Sequence, residues 1–512
     1  TYPVEDDILK EFRKITGKQW TSNDPADLVA YAEDPAPVTQ FTMPRYVTLP
    51  GSEKEVAQVL SLCIKHKLPW AVRGNGSSVM GFVISPGVII DLHRMNKIDF
   101  DIENWCVTVG PGVSAFELQK EAYERGFRVN TAEASALMCA NIMCSGIFSL
   151  YSATYGTMAD NVVNARFVGN DGEFFNINDR KAPNLFSFTK EDMPLPGVCT
   201  GLTTRLHPIL DDEEGVLVPF ETIEKALSFS RDISMRRIGT GIGILGLEYI
   251  SSFMAPTADV DRKIHKLLKN TIGLGCLVLV IGTAHDIAYV NSHTETVIDK
   301  DQFTALILGL PRLLDSELLD LLESYRGSKP VFHLLFQKEV FPVVEAALNP
   351  SPEVHSAPVD KDLQSFYNSL YKRPEMTDLV WLNSFRILSA RLGRKKHVVA
   401  FIVYVPLDKP KTIISIIDAF ANIAGNHKID NEFGFITPLD EGKRAVLEYD
   451  YFLDHRNCDE RERILRAMQE AAAMIEGYSA SVKGITWIRY VLRQGIARKE
   501  PMLYGTGITD EI

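Results

Sequence analysis

The stretch Arg73-Gly74-Asn75-Gly76-Ser77-Ser78-Val79-Met80-Gly81 decides how the rest of this chain is read. A short apolar run, Trp70-Ala71-Val72, feeds it, and a β-branched run, Val88-Ile89-Ile90-Asp91-Leu92, follows. Its glycines let the backbone turn through positive φ and let a ligand approach successive N–H groups. Such a strand–loop–strand element can hold a pyrophosphate without a helix N-terminus. Taken alone, the same residues read more readily as an ordinary Gly/Ser turn between strands. The flanking sequence reverses that reading.

The chain has 512 residues, too many for one ordinary core, so two or three domains are expected. With 46% apolar and 23% charged residues it has the composition of a globular protein. A net charge of −12 argues against nucleic acid, which requires a basic face. The longest apolar runs, such as Cys276-Leu277-Val278-Leu279-Val280-Ile281, have strand length, so no membrane span is expected. The seven cysteines (63, 106, 139, 144, 199, 276 and 458) form no CxxC pair, and the histidines are equally dispersed. We therefore expect reduced thiols, a cytoplasmic setting and no metal site. No secretory segment is legible at Thr1, although the missing initiator Met leaves room for a removed signal.

Along the first part of the chain, helical spacing over 5–16 gives way to a Pro-rich crossing at 34–37 and a strand at 45–49. A helix capped by Ser52 and the strands on either side of the glycine loop complete an α/β unit. A strand at 106–109 ends in Gly110-Pro111-Gly112, and a helix over 114–125 follows. A small-residue stretch, 136–156, leads to a strand at 161–168, the Asn170-Asp171-Gly172 hairpin and a last strand near 202–208. After Asp211-Asp212-Glu213-Glu214 the pattern alternates: helix 222–235, strand 243–254, helix 257–270, strand 276–283 and helix 284–297. Residues 300–375 read as a helical insertion or peripheral layer. A strand at 398–405, a helix at 410–423, a strand near 448–454 and a charged helix at 459–475 follow.

The order of features from 45 to 208 resembles the FAD domain of the vanillyl-alcohol oxidase and p-cresol methylhydroxylase (PCMH) superfamily. The resemblance rests on Pro44, Pro50 and Val56, on the 73–81 loop, on Ile90-Asp91-Leu92-His93-Arg94-Met95-Asn96 and on Val109-Gly110-Pro111-Gly112-Val113. It implies an α+β protein with three parts: a two-subdomain FAD-binding domain over 1–211, an α/β cap over 212–450 and a return segment over 451–512. It also implies FAD contacts at Arg73, Gly74, Asn75, Gly76, Ser77, Ser78 and Gly81. Further contacts are implied at Cys139, Asn141, Ser145, Tyr155, Gly156, Gly197 and Val198. Residues 281–285 and 451–457, with Glu476-Gly477-Tyr478, are similar to the phenol-oxidising branch.

Departures from the family pattern shape the functional expectation. The 73–81 loop contains neither His nor Cys, so FAD held without a covalent bond is expected, with His93 a packed or exposed imidazole. Cys139-Ala140-Asn141 stands where the family commonly has Gly-Gly-Asn, and the added side chains should crowd the flavin. Ser481-Val482 replaces the Tyr-Arg pair that holds a phenolate, which argues against a simple alkylphenol substrate. Arg386, Tyr404, Lys483 and Arg489 are chemically suitable catalytic groups.

The resulting expectation is a FAD-dependent oxidoreductase. It would move a hydride from an alcohol, hydroxy acid or aromatic substrate to flavin N5, with electrons passing to oxygen or to a cytochrome or iron–sulfur partner in an oligomer. Two alternatives stand beside it: a catalytically degenerate subunit with an assembly role, and a 2-hydroxy-acid dehydrogenase subunit paired with an iron–sulfur protein.

Overall fold

Three short strands set the frame: Tyr46–Thr48, Val88–Asp91 and Trp70–Arg73 lie parallel, with Val88–Asp91 in the middle. Thr21–Ser22 adds an antiparallel edge. The central strand reads Val-Ile-Ile-Asp because a parallel strand is covered on both faces, and all four residues are buried. The helices Asp7–Thr16 and Glu53–Lys65 cover one face, packing Leu9, Phe12, Val56, Val59 and Leu60 against Tyr46, Val88 and Ile90. Asp6 and Ser52 cap them by accepting the N–H groups of Leu9 and Glu55. The computed structural model describes residues 6–34, 41–76, 83–131, 136–139, 149–169, 171–178, 197–255, 258–314, 317–348, 397–454 and 456–478.

A second, antiparallel sheet has the order Ile98–Asp101, Cys106–Val109, Val198–Arg205, Val162–Val168, Phe174–Asn178. The helix Ala115–Tyr123 lies over it, started by a Ser114–Glu117 capping box. Val168 and Val198 turn into the core of the parallel unit, so the two sheets share one apolar seam.

The cap is a six-stranded antiparallel sheet: Glu214–Phe220, Cys276–Gly282, Gly241–Leu245, Asp430–Leu439, Arg444–Leu453, His397–Pro406. One face carries the helices Ile223–Met235, Pro410–Asn426 and Cys458–Gly477, packed around Phe401, Phe420, Tyr449 and Tyr451. The other face meets the helices Leu247–Met254, Ala258–Lys266 and Lys300–Leu313, and also Leu150 and Tyr151 of the FAD-domain portion. Among the described residues, no helix is long and apolar enough to cross a membrane.

Several expectations change. The strand expected over 243–254 is the strand Gly241–Leu245 followed by the helix Leu247–Met254, because Gly246 breaks the run and Leu247 and Ile250 repeat at helical spacing. Asp430–Leu439 is a strand that the sequence reading passed over; its Asp-Asn-Glu start disfavours strand, and pairing on both sides overrides that preference. The helix expected to run to 297 ends at His293. The 300–375 layer is not peripheral where it is described: Leu306, Leu310, Val331, Phe332 and Leu348 join the cap core, while 349–375 lies outside the described residues. The expected boundary at 450/451 falls inside the strand Arg444–Leu453, and the following helix packs Ile464, Met468 and Ile475 onto the cap rather than onto the FAD domain.

The two portions meet through backbone as well as side chains. The N–H of Ile242 donates to the carbonyl of Leu150 at 3.1 Å. A Cβ on Gly243 would fall inside the Leu150 side chain. Gly243→Val should therefore overpack this seam and lower stability by about 1–3 kcal/mol, read as a lower Tm. Leu150→Ala in the same chain should recover part of the loss in a double-mutant cycle. A Gly243→Val protein that melts like the parent would show slack at the seam.

Candidate functional site

Arg73 ends its strand with a buried guanidinium that donates to the carbonyls of Ala30 at 3.2 Å and Glu33 at 3.1 Å and lies over the Tyr31 ring. Burial pulls its pKa down, and Asp34, Tyr31 and Asp91 oppose that pull. It anchors the 26–34 segment beside the loop and does not project as a ligand. Gly76 takes φ +65°, and a Cβ there would strike the Arg73 guanidinium, so only glycine fits this turn. Asn75 is exposed between them, and its Oδ1 accepts from Nε2 of His93 at 2.7 Å.

His93 is the residue the sequence reading undervalued. Its Nδ1 lies 2.6 Å from Oδ1 of Asp91, which also accepts the His93 backbone N–H at 3.0 Å. The hydroxyl of Tyr31 donates to the other oxygen of Asp91 at 2.9 Å. The Asp91 hydrogen bond raises the imidazole pKa against the opposing effect of burial. Two neighbouring loops continue the wall. Gly110 and Gly112 donate to the carbonyls of Lys97 and Met95 at 2.9 and 3.0 Å, and Met138 donates to Val113 at 2.8 Å. Leu137 packs over Gly74. Thus 74–76, 92–97, 110–113 and 136–138 line one edge.

The other expected residues are placed as follows. Cys139 is buried in the antiparallel core with its thiol against Cys199, and burial pushes its pKa up. Its bulk is taken up by that core. The Tyr155 ring stacks on His207 with centroids 3.6 Å apart, and its carbonyl accepts from Asn161. His207 is held down to about 4, by burial and then by Arg128 and Arg205. The Gly156 carbonyl accepts from Asn130 at 2.8 Å. Gly197 lies against the Val168 carbonyl, and the Val198 side chain is core. Tyr404 stands on the cap face with Leu150 and Tyr151, buried, with Arg444 over its ring and its pKa raised by burial. Ser77, Ser78, Gly81, Asn141, Ser145, Arg386, Lys483 and Arg489 lie outside the described residues.

On that same cap face the structure brings together Glu248, His265 and Glu432, whose ligand-type atoms all lie within 4.8 Å of one another. His265 Nδ1 is 4.0 Å from Glu248 and 3.9 Å from Glu432. No metal was expected from sequence, and this trio is a grouping among the described residues with the composition to hold one. It also suits proton transfer. Burial, with Glu248 and Asp261 nearby, pushes the Glu432 carboxyl up to about 8, while burial and Lys269 pull His265 down. The trio spans two helices and the overlooked strand Asp430–Leu439, which is why no spacing announced it.

Residues 44–178 match the FAD binding domain family. Across 95% of the chain the fold superposes on 90% of p-cresol methylhydroxylase with a TM-score of 0.64 at 14% identity. The fold is that of the PCMH-type flavoproteins. Alkyldihydroxyacetonephosphate synthase shares this PCMH-type fold, with a TM-score of 0.56 at 14% identity over 96% of this chain and 84% of that one. In sequence the chain is similar to the FAD-linked oxidoreductase fogF of Aspergillus ruber, 26% identical over 34% of this chain and 35% of that protein. It is likewise similar to the cytochrome-type mitochondrial D-lactate dehydrogenase of Arabidopsis thaliana, 27% identical over 41% of this chain and 37% of that protein. Against these two, the chain spans little more than a third of their length.

The match over residues 44–178 supports FAD as the cofactor. The residues fit it: Gly76 takes the positive φ that a tight glycine turn needs, and the 92–97, 110–113 and 136–138 segments are bonded to one another beside that turn.

Glu432 provides a check of the cap face that does not depend on the cofactor. An acid held at about 8 when folded, against an ordinary value of 4.5, binds more protons folded than unfolded between those limits. It therefore costs stability progressively as the pH rises from about 4.5 to about 8. Glu432→Gln should melt like the parent at pH 4.5 and above it at pH 8.5. Equal melting at both values would place the carboxylate in water.

Proposed function

We propose that the protein is a FAD-dependent oxidoreductase that oxidises a hydroxyl-bearing carbon, with its electrons passing on to oxygen or to a partner redox protein. The observation that carries this reading is the placement of the Glu248–His265–Glu432 trio on the cap face that also receives Leu150 and Tyr151 of the FAD-binding portion. FAD, when bound, supplies the two-electron acceptor. The chain supplies the rest. Glu432, backed by His265, takes the hydroxyl proton as the C–H bond yields its hydride and the alcohol becomes a carbonyl. Tyr404 and the apolar residues around it keep water from that face. FAD is held without a covalent bond, because 73–81 offers neither His nor Cys and both ring nitrogens of His93 are engaged.

Relatives named D-lactate dehydrogenase and glycolate oxidase subunit suggest hydroxy acids as substrates. The cap face argues instead for a neutral alcohol. Besides Glu248 and Glu432 it carries Asp450, paired across strands with Glu432, and Glu448, both beside Gly434. A substrate carboxylate would be repelled there.

Purified protein should show oxidised-flavin bands that anaerobic addition of a neutral alcohol bleaches faster than its carboxylate analogue. Acid precipitation should release the yellow colour into solution. Glu432→Gln should slow bleaching by about 10²–10⁴-fold. In the parent the rate should rise with pH towards a plateau above about 8, since the base must be unprotonated. Protein that stays colourless with added FAD would refute the proposal, and faster bleaching by the carboxylate would refute its substrate class.

A further inference from the structure

A histidine side chain ties the glycine turn to the sheet. His93 joins Asn75, on the turn, to Asp91, at the end of the central strand, with contacts of 2.7 and 2.6 Å. Both ring nitrogens face oxygen acceptors, an arrangement that a doubly protonated imidazolium satisfies in full. A neutral ring has one N–H and leaves one oxygen without it, unless the Asn75 amide turns over and disturbs the contact. His93 is half-exposed, so its charge is felt at the loop surface and not only in the core.

The other cations around these loops are committed elsewhere. Arg73 is buried on the carbonyls of Ala30 and Glu33. Arg94 lies over the Trp20 ring and donates to the Leu49 carbonyl. Lys97 points into solvent beside Asp99. Arg73 packs against Gly76 from the buried side with its guanidinium held by the Ala30 and Glu33 carbonyls, and His93 is the half-exposed cation that hydrogen-bonds to the turn.

We propose that His93 is a positioning residue for FAD: as an imidazolium it fixes the 74–76 turn through Asn75 and places a positive charge beside the seat of the pyrophosphate, and as a neutral ring it does neither. The inference rests on the FAD-binding reading and adds to it a pH-dependent hold on the cofactor. The groups that face His93 are Asp91 on its own segment, Asn75 from the turn, Glu117 from the helix Ala115–Tyr123 and Arg73 from the neighbouring strand. Asp91 and Glu117 favour the cation, while burial and Arg73 oppose it. The hydrogen bond to Asp91 comes first among these, so the cation persists above the usual histidine range and is lost as the pH rises further.

The test is the FAD dissociation constant, measured by flavin fluorescence on apoprotein of the full chain between pH 6 and pH 9.5. The parent should bind FAD about tenfold or more weakly at the alkaline end, the loss of one charge-assisted contact. His93→Gln should bind at pH 6 about as weakly as the parent does at pH 9.5, and its affinity should change little with pH. Asn75→Ala, which keeps the cation and cuts the tie, should fall between the two at pH 6 and keep part of the pH dependence. The melting of each apoprotein, followed by circular dichroism, separates a folding defect from a binding one. A flat profile in the parent, or a His93→Gln protein with the parent's affinity and pH dependence, would overturn the proposal while leaving FAD binding intact. A parent that takes up no FAD at any pH would overturn the functional reading beneath it. If His93→Gln does not fold, the parent's profile and Asn75→Ala decide the matter.

Discussion

A carboxylate buried at the end of the central parallel strand is the constraint on which the candidate site depends. Asp91 is 5% exposed and accepts from the Tyr31 hydroxyl and from both the backbone and the ring of His93. A charge in that position is tolerated only because donors converge on it. In meeting that need, the fold brings the 26–34 segment, the glycine turn and the 92–97 segment to one point. Arg73, opposite Asp91 in the parallel register, closes the same arrangement from the other strand. The turn keeps its shape because the charge beneath it requires partners.

The legible part of the fold was the part whose geometry is local. Ser52 announces its helix through neighbouring residues and the structure places it as the cap, while Asp171-Gly172 stand between the paired strands Val162–Val168 and Phe174–Asn178. The ordered glycines from 74 to 112 were legible for the same reason. What escaped was set by long-range pairing. The strand Asp430–Leu439 begins with residues that disfavour strand, yet it is held between Gly241–Leu245 and Arg444–Leu453. Once it was missed, Glu432 could not be connected to Glu248 and His265, which are 184 and 167 positions away in the chain (432 − 248 and 432 − 265).

His93 illustrates a different gap. It was visible in sequence but unremarkable, because its value comes from two partners, one beside it and one eighteen positions back. Cys139 is a second case. Its side chain packs in the antiparallel core beside a thiol neighbour from the strand Val198–Arg205. In both cases the meaning of the residue lies in the direction its side chain takes, which pattern alone does not specify.

The seam between the FAD-binding portion and the cap has a consequence for how molecules come and go. Leu150 sits over Gly243 of the cap sheet, its carbonyl accepts a backbone N–H from that sheet, and Tyr151 lies over Gly241 in the same apolar cluster. Separating the two bodies would break a backbone hydrogen bond and wet a continuous hydrocarbon surface, at a cost of about 25 cal/mol for each Å² exposed. Interfaces between domains move freely when they are small and polar, and the apolar contact at Leu150 and Tyr151 works against such movement. At this seam the cap is pinned to the FAD-binding portion, and parting the two there carries that cost.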